Sequence, residues 1–522
     1  MTFFLFLIKL RASADNSNMK KLYFTFTLFF FFTAFMYAEF SGDNTSEDSG
    51  ADNANTVCEY KSDFNAEPYD EKYAGSNSKN TEIVPLVSFE RIPDSALIRS
   101  AIAKTWFLDL PEEIAKLKQQ IETDNNGNRF KLRAVHLKEK NILAVVISPV
   151  DTEFSNIEKV PQGTWILYRE YETGNPVCIK IYPRENPELY LTLRPASKKS
   201  EFGKSFIDIC LFNAYVRKNI AVGIPFESLY YLSLLELRGM TEAVLPWDIF
   251  NPPITYSGVE AASDIISERL HTLVYLDDGG FDENGTPVHF KDGRVQSDSE
   301  IIAAIRPEQK LKDVIGGVNC SGFAKWIIDG MIKPIAGQGT FIKNLLTRTD
   351  VPDTYFTKPY ENQDLYFGLE WIRNLAAAAL TLNTKRTVFP IGSGVDVTVE
   401  PFALVPPIKK IEAEDEFAAF KGYEKNAGYQ TNYLEALLYY LAVKEPGHFY
   451  LGSVNADIGT PTLRRYYHVV AFFPYFDILG NFHLDVYESA EKTSIGKFIK
   501  KHKNAFTALV RIRSPQIGVF NP

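Results

Sequence analysis

The sequence predicts an α+β chain, with an N-terminal antiparallel β-sandwich-like domain followed by a second domain of mixed helices and strands. Two observations carry this. Between Arg129 and Phe226 short apolar or alternating runs recur roughly every 10 to 20 residues, with Gly, Pro and Asn between them. Beyond residue 258 apolar residues return at helical spacing, interrupted by strand-like runs. A length of 522 residues also exceeds one ordinary core, so several domains are expected.

From Met19 the order is Lys20 and Lys21, an uncharged Phe-rich run from Leu22 to Tyr37, then Ala38 and Glu39. That is the order of a secretory signal. Residues 1–38 therefore read as a signal peptide with an upstream extension, Met19 being an alternative start. The apolar run is shorter than the roughly 20 residues a spanning helix needs, which favours export to the periplasm or cell envelope. Residues 41–57 are acidic, small and nearly free of large apolar side chains, and 39–80 reads as a disordered acidic linker.

A β-rich domain is expected over 81–250. It opens with a helical stretch at 95–122, and the runs "RFKLRAVHL", "ILAVVISP", "TWILYREY", "VCIKIYP", "LYLTLRP", "SFIDICLFNAYV" and "IAVGIPF" then read as strands. Helical "FESLYYLSLLELRGM" closes the domain, and Pro-rich "PWDIFNPPITYSG" (246–258) reads as the linker to a second domain at 259–513. There, Asn284-Gly285 marks a hairpin. Its carboxylates miss the calcium-loop spacing because Gly280 stands where an oxygen ligand is needed. "YFGLEWIRNLAAAALTL" and "TNYLEALLYYLAV" read as helices, the latter with Leu434, Leu437, Leu438 and Leu441 on one face, "VDVTVEPFALVPP" as extended, and "YYHVVAFFPYFDILG" and "FHLDVYESA" as closing strands.

A net charge of -9 and a pI near 5.5, without a basic stripe, exclude an electrostatic footprint for nucleic acid. The four cysteines, Cys58, Cys178, Cys210 and Cys320, lack zinc-site pairing. Cys178 and Cys210 lie in strand-like runs, where they read as small core residues rather than a bridge. His136, His271, His289 and His502 show no ligand spacing, and zincin, P-loop and nucleophile-elbow motifs are absent. No metal and no cofactor are expected, and the oligomeric state is not legible.

"GGVNCSGFAKWIIDG" (316–330) carries the chemistry. Asn319 reads as an N-cap, placing Cys320 in the first turn of a helix whose amide groups and dipole favour a thiolate. Gly316 and Gly317 let backbone approach a substrate closely, and Ser321 and Gly322 let the helix pack tightly. A cysteine nucleophile needs a base. His468 in "RRYYHVVAFF" heads an apolar strand, where an unpaired imidazole would be costly.

"VNCSGFAKW" resembles the Asp-Cys-Ser-Gly-Phe signature of the NlpC-like family of cell-wall cysteine peptidases. "EPGHFYLGSVN" is similar to that family's Pro-Gly-Asp strand, and "HVVAFF" to its His-Val-Gly-Ile-Tyr strand. The motifs occur in family order but explain nothing before about residue 300. Asn319 and His448 stand where the family has aspartates, and the tyrosine the family has about a dozen residues before the cysteine is missing from "RPEQKLKDVIGG". The resemblance implies a papain-like C-terminal domain, and the long separation of Cys320 from His468 implies a helical insertion at about 331–430.

A third residue should orient the imidazole. With Gly480-Asn481 as the turn, Glu488 falls opposite Phe473 and is the preferred partner of His468; with the turn at Pro474 to Asp477, His483 lies opposite His468 instead. The expected activity is that of a cysteine peptidase or amidase. Cys320 attacks an amide of a cell-wall peptide, helix amides hold the oxyanion, and His468, oriented by Glu488 or His483, protonates the leaving amine. The alternative is a non-catalytic envelope-associated protein whose degenerate papain-like domain binds cell wall or a protein partner.

Overall fold

Apolar runs punctuated by turn residues become one continuous sheet in the computed structural model, which describes residues 89, 92–150, 160–196, 205–212, 214–251, 258–349, 368–402, 420–425, 427–459, 463–478, 480–515 and 520–522. Strands β1 (Gln120–Thr123), β2 (Arg129–Leu137), β3 (Ile142–Pro149), β4 (Thr164–Glu170), β5 (Pro176–Tyr182), β6 (Leu189–Pro195), β7 (Ser205–Leu211) and β8 (Ala214–Ala221) lie in sequence order. Each pairs antiparallel with the next. The expected sandwich is corrected in one respect: the strands form a single up-and-down sheet instead of two face-packed sheets. Alternation along a strand specifies which residues share a face, and it is the same for a meander and a sandwich.

One face of the meander buries Leu143, Val145, Ile147, Leu167, Ile179 and Ile207 in a cluster that includes Ile98, Ile102 and Trp106 of α1 (Ala96–Trp106). That helix is shorter than expected. Pro111 opens a separate turn, α2 (Pro111–Ile114), as fits a residue with no amide to donate, and Gln120–Thr123 has become β1. α3 (Leu234–Thr241) starts at a capping box between Ser233 and Glu236. Cys210 makes no disulfide and is buried as expected, whereas Cys178 is disulfide-bonded, which corrects its reading as a simple core residue.

After α4 (Val259–Arg269) come β9 (Leu273–Tyr275), β10 (Gly279–Phe281), β11 (Pro287–His289), α5 (Asp298–Ala304) and β12 (Gly316–Val318). The Asn284-Gly285 hairpin forms, but between β10 and β11; the apolar run of β9 pairs parallel with β12. Asp282 Oδ1 accepts the Asn284 and Thr286 amides, so the tempting carboxylate caps the turn.

The helices α6 (Cys320–Ala336), α7 (Ile342–Leu345), α8 (Leu369–Thr384), α9 (Leu434–Lys444) and α10 (Ile495–Lys501) surround a seven-stranded antiparallel sheet. Its strands are β13 (Tyr423–Glu424), β14 (Gly428–Gln430), β15 (His448–Ile458), β16 (Leu463–Phe476), β17 (Phe482–Glu488), β18 (Glu491–Thr493) and β19 (Phe506–Arg513), ordered β13-β14-β19-β15-β16-β17-β18. α4, α6 and α8 cover one face, α9 and α10 the other. α8 lies within the stretch expected as an insertion, yet its Trp371, Ile372 and Leu375 are fully buried in the α6 layer. "VDVTVE" contributes only a bridge from Asp396 to Val510.

The α9 face shares a continuous core with the meander: Tyr439 packs on Phe212 at 5.5 Å and donates to the Ile249 carbonyl at 2.7 Å. The two predicted domains are therefore packed through one apolar cluster. Part of the predicted linker and the whole of 1–80 lie outside the described residues, and no described helix is long and apolar enough to cross a membrane.

Candidate functional site

α6 begins where the sequence places it. Asn319 is the N-cap, its Oδ1 accepting the Gly322 amide at 2.7 Å. The helix is buried nearly all round its first three turns, and its two charged residues there, Lys325 and Asp329, are buried as an ion pair with each other. A β-carbon at Gly322 would stand 2.1 Å from the Gly279 carbonyl, so only glycine lets α6 press against β10. Gln296 clamps the approach: its side-chain nitrogen reaches the carbonyls of Gly280, Val288 and Gly317 at 3.2, 3.0 and 2.8 Å, and its oxygen takes the Gly317 amide at 2.7 Å. Gly316 and Gly317 are glycine for the same reason as Gly322. Phe281 and Pro287 crowd the first and Leu276 the second, which corrects their reading as an approach for substrate.

Cys320 is 6 % exposed and belongs to the apolar cluster that includes Phe323, Val469, Ala471 and Trp371. Burial pushes its thiol up to about 11, outweighing the stabilising amides of Val469 and Ser321 and the Ser321 hydroxyl. The expected pre-activation by the helix terminus is thus overcome by desolvation. Tyr275, 55 % exposed on β9, is an electrostatic neighbour of Cys320 and donates to Asp277 at 3.0 Å.

His468 lies on the other side of the sheet. On β16, Val469, Ala471 and Phe473 turn toward Cys320, so Val470 and Phe472 turn toward α9 and α10. His468 has the parity of the second set. It pairs directly with Val454, which belongs to the α9 cluster, while a bulge beside it brings Tyr466 to the Cys320 face. No hydrogen bond joins Cys320 to His468, Glu488 or His483. The structure therefore does not bring the expected nucleophile and base together.

The expected base and its orienting group do meet. His468 Nε2 lies 2.6 Å from Glu488 Oε2. The hairpin register differs from both alternatives: Asp477 to Asn481 makes the turn, Phe473 faces Asp485, and Glu488 reaches His468 from beyond the last β16 pair. His483 instead faces Tyr475 and bonds Asp477 at 3.0 Å. His448 pairs with the Glu445 carbonyl at 3.1 Å.

Three partners come from α10 and the bulge. His502, at the C-terminal cap of α10, stacks on His468 with ring centroids 5.2 Å apart and places Nε2 3.4 Å from Glu488 Oε2. Lys501 Nζ lies 3.0 Å from the same oxygen, and the Tyr467 hydroxyl pairs with His502 Nδ1 at 3.1 Å. Burial alone would raise Glu488; hydrogen bonds from His468, His502 and Lys501 outweigh it and hold the carboxyl well below its usual range. Burial lowers His468 below the usual imidazole value despite Glu488, so at neutral pH the ring is neutral and donates Nε2–H.

Sequence reasoning missed Gln296, Tyr467, Lys501 and His502. Nothing in their spacing marks them, because each acts through a contact between distant segments. Chemically, the arrangement offers a dry neutral thiol on one face and a polar His-Glu-His cluster on the other.

Residues 88–249, the meander with its flanking helices, match a family model described as a domain of unknown function (DUF8515). No curated protein and no solved structure matches the chain.

Proposed function

We propose that the chain is an exported, non-catalytic envelope protein, whose C-terminal unit keeps a papain-like plan but has lost the pairing a cysteine peptidase requires, and which binds cell wall or a protein partner. The observation that carries this reading is the parity of β16, which turns His468 away from the face against which Cys320 is buried. A thiol raised to about 11 is a poor nucleophile at neutral pH, and among the described residues no imidazole or carboxylate hydrogen-bonds it. The papain-like part of the reading rests on a cysteine at the N-terminus of α6, laid on an antiparallel sheet whose β15 and β16 hold the other two motifs. Export rests on the N-terminal sequence, and the disulfide at Cys178 suits an oxidising compartment.

The test incubates the full chain with cell-wall peptide fragments and, separately, with a thiol-reactive probe. The expected outcome is no release of new amines, with Cys320 labelled only after denaturation. Amide hydrolysis that disappears in Cys320→Ala would overturn the proposal and restore the peptidase.

A further inference from the structure

The cluster on the α10 face carries an inference independent of that reading. We propose that His468 Nε2, His502 Nε2 and a carboxylate oxygen of Glu488 form a binding site for a divalent transition-metal ion, with zinc the ion their chemistry suits best. The three ligand atoms lie within 4.8 Å of one another, contributed by β16, β17 and the end of α10. Tetrahedral zinc with bonds of about 2.0–2.1 Å separates its ligands by about 3.4 Å, and the two nitrogens stand 2.6 and 3.4 Å from Glu488 Oε2. The His502–Glu488 spacing already has this value, and the His468–Glu488 contact has to open by about 0.8 Å for an ion to enter between them.

The donor set selects the ion. Two imidazoles and one carboxylate suit zinc and its first-row neighbours, whereas calcium and magnesium prefer oxygen ligands throughout. Glu488 and His502 are buried, so their orientations are fixed by packing. Tyr467 supplies the outer contact a metal-bound imidazole needs. Its hydroxyl donates to His502 Nδ1 while Nε2 keeps its hydrogen, and can accept from Nδ1–H once Nε2 binds an ion.

Lys501 marks the place of the cation. Its ammonium sits 3.0 Å from Glu488 Oε2, and its side chain is 59 % exposed and free to swing into solvent when an ion replaces it. A structural ion cluster has no reason to gain from losing Lys501. A metal site does, because the lysine competes with the ion for Glu488.

The test strips the full chain with a chelator and titrates zinc calorimetrically, with cobalt(II) absorption reporting coordination. One zinc per chain is expected, with a four-coordinate cobalt spectrum and a higher melting temperature on zinc addition. Tyr467→Phe should weaken binding roughly 10–100-fold, His502→Ala should abolish it, and Lys501→Met should tighten it. Absence of zinc binding by the wild-type chain overturns the proposal. So does zinc binding that Tyr467→Phe leaves unchanged, a variant at a surface hydroxyl that decides the matter even where His502→Ala fails to fold.

Discussion

On the α6 side of the C-terminal sheet, Val469, Ala471 and Phe473 of β16 join the apolar layer that holds Cys320; on the α10 side, His468 from the same strand meets Glu488 and His502, with Lys501 on the same carboxylate. One strand thus presents a dry thiol environment and a hydrogen-bonded charged cluster, separated by the thickness of a sheet. Motif order along a chain says that a cysteine helix and a histidine strand are present. Which side of that strand faces the helix is a matter of parity, and a single residue inverts it.

Breaking the polar face should have the largest effect. Glu488→Ala leaves two inward imidazoles and Lys501 without their common acceptor, and is expected to cost about 3 kcal/mol, read from the denaturant midpoint. A loss near zero would mean the cluster is idle and the contrast between faces is cosmetic. Gly322→Ala probes the thiol face: its new methyl meets the Gly279 carbonyl, and a loss of about 2 kcal/mol is expected if α6 is clamped onto β10. Asn319→Ala removes the cap from the same helix and should cost about 1 kcal/mol, since one amide acceptor is lost while the surrounding packing remains.

The gentlest probe is pH. His468 and Glu488 both bind protons more weakly in the fold than in the unfolded chain. The unfolded chain therefore takes up protons first as pH falls, and stability declines with acid. The loss should begin below about 6.5 through His468 and continue below about 4.3 through Glu488, the ordinary values of the two groups. Melting temperatures of His468→Gln should lack the first part of that decline. An unchanged profile would place the linkage elsewhere.

Much of the architecture was legible because it rests on local chemistry. Strand runs from Arg129 to Leu211, the leucine face of α9, the Asn284-Gly285 turn and the Asn319 cap each follow from periodicity or from a side chain that satisfies a neighbouring amide. The choice of Glu488 over His483 as the partner of His468 also matches the contact formed, although the register behind it does not. The glycines before Cys320 were legible as close approaches, but what approaches them is protein.

The sequence by itself determined the order of helices and strands, the thiol at the head of α6 and the histidine in β16, since propensity, capping and alternation act within a few residues. Only the tertiary structure decided that the meander is one sheet, that burial raises the Cys320 thiol, that β16 turns His468 away, and that α10 delivers His502 to Glu488. Those outcomes depend on which faces exclude water together, and that is a property of packed elements rather than of any segment.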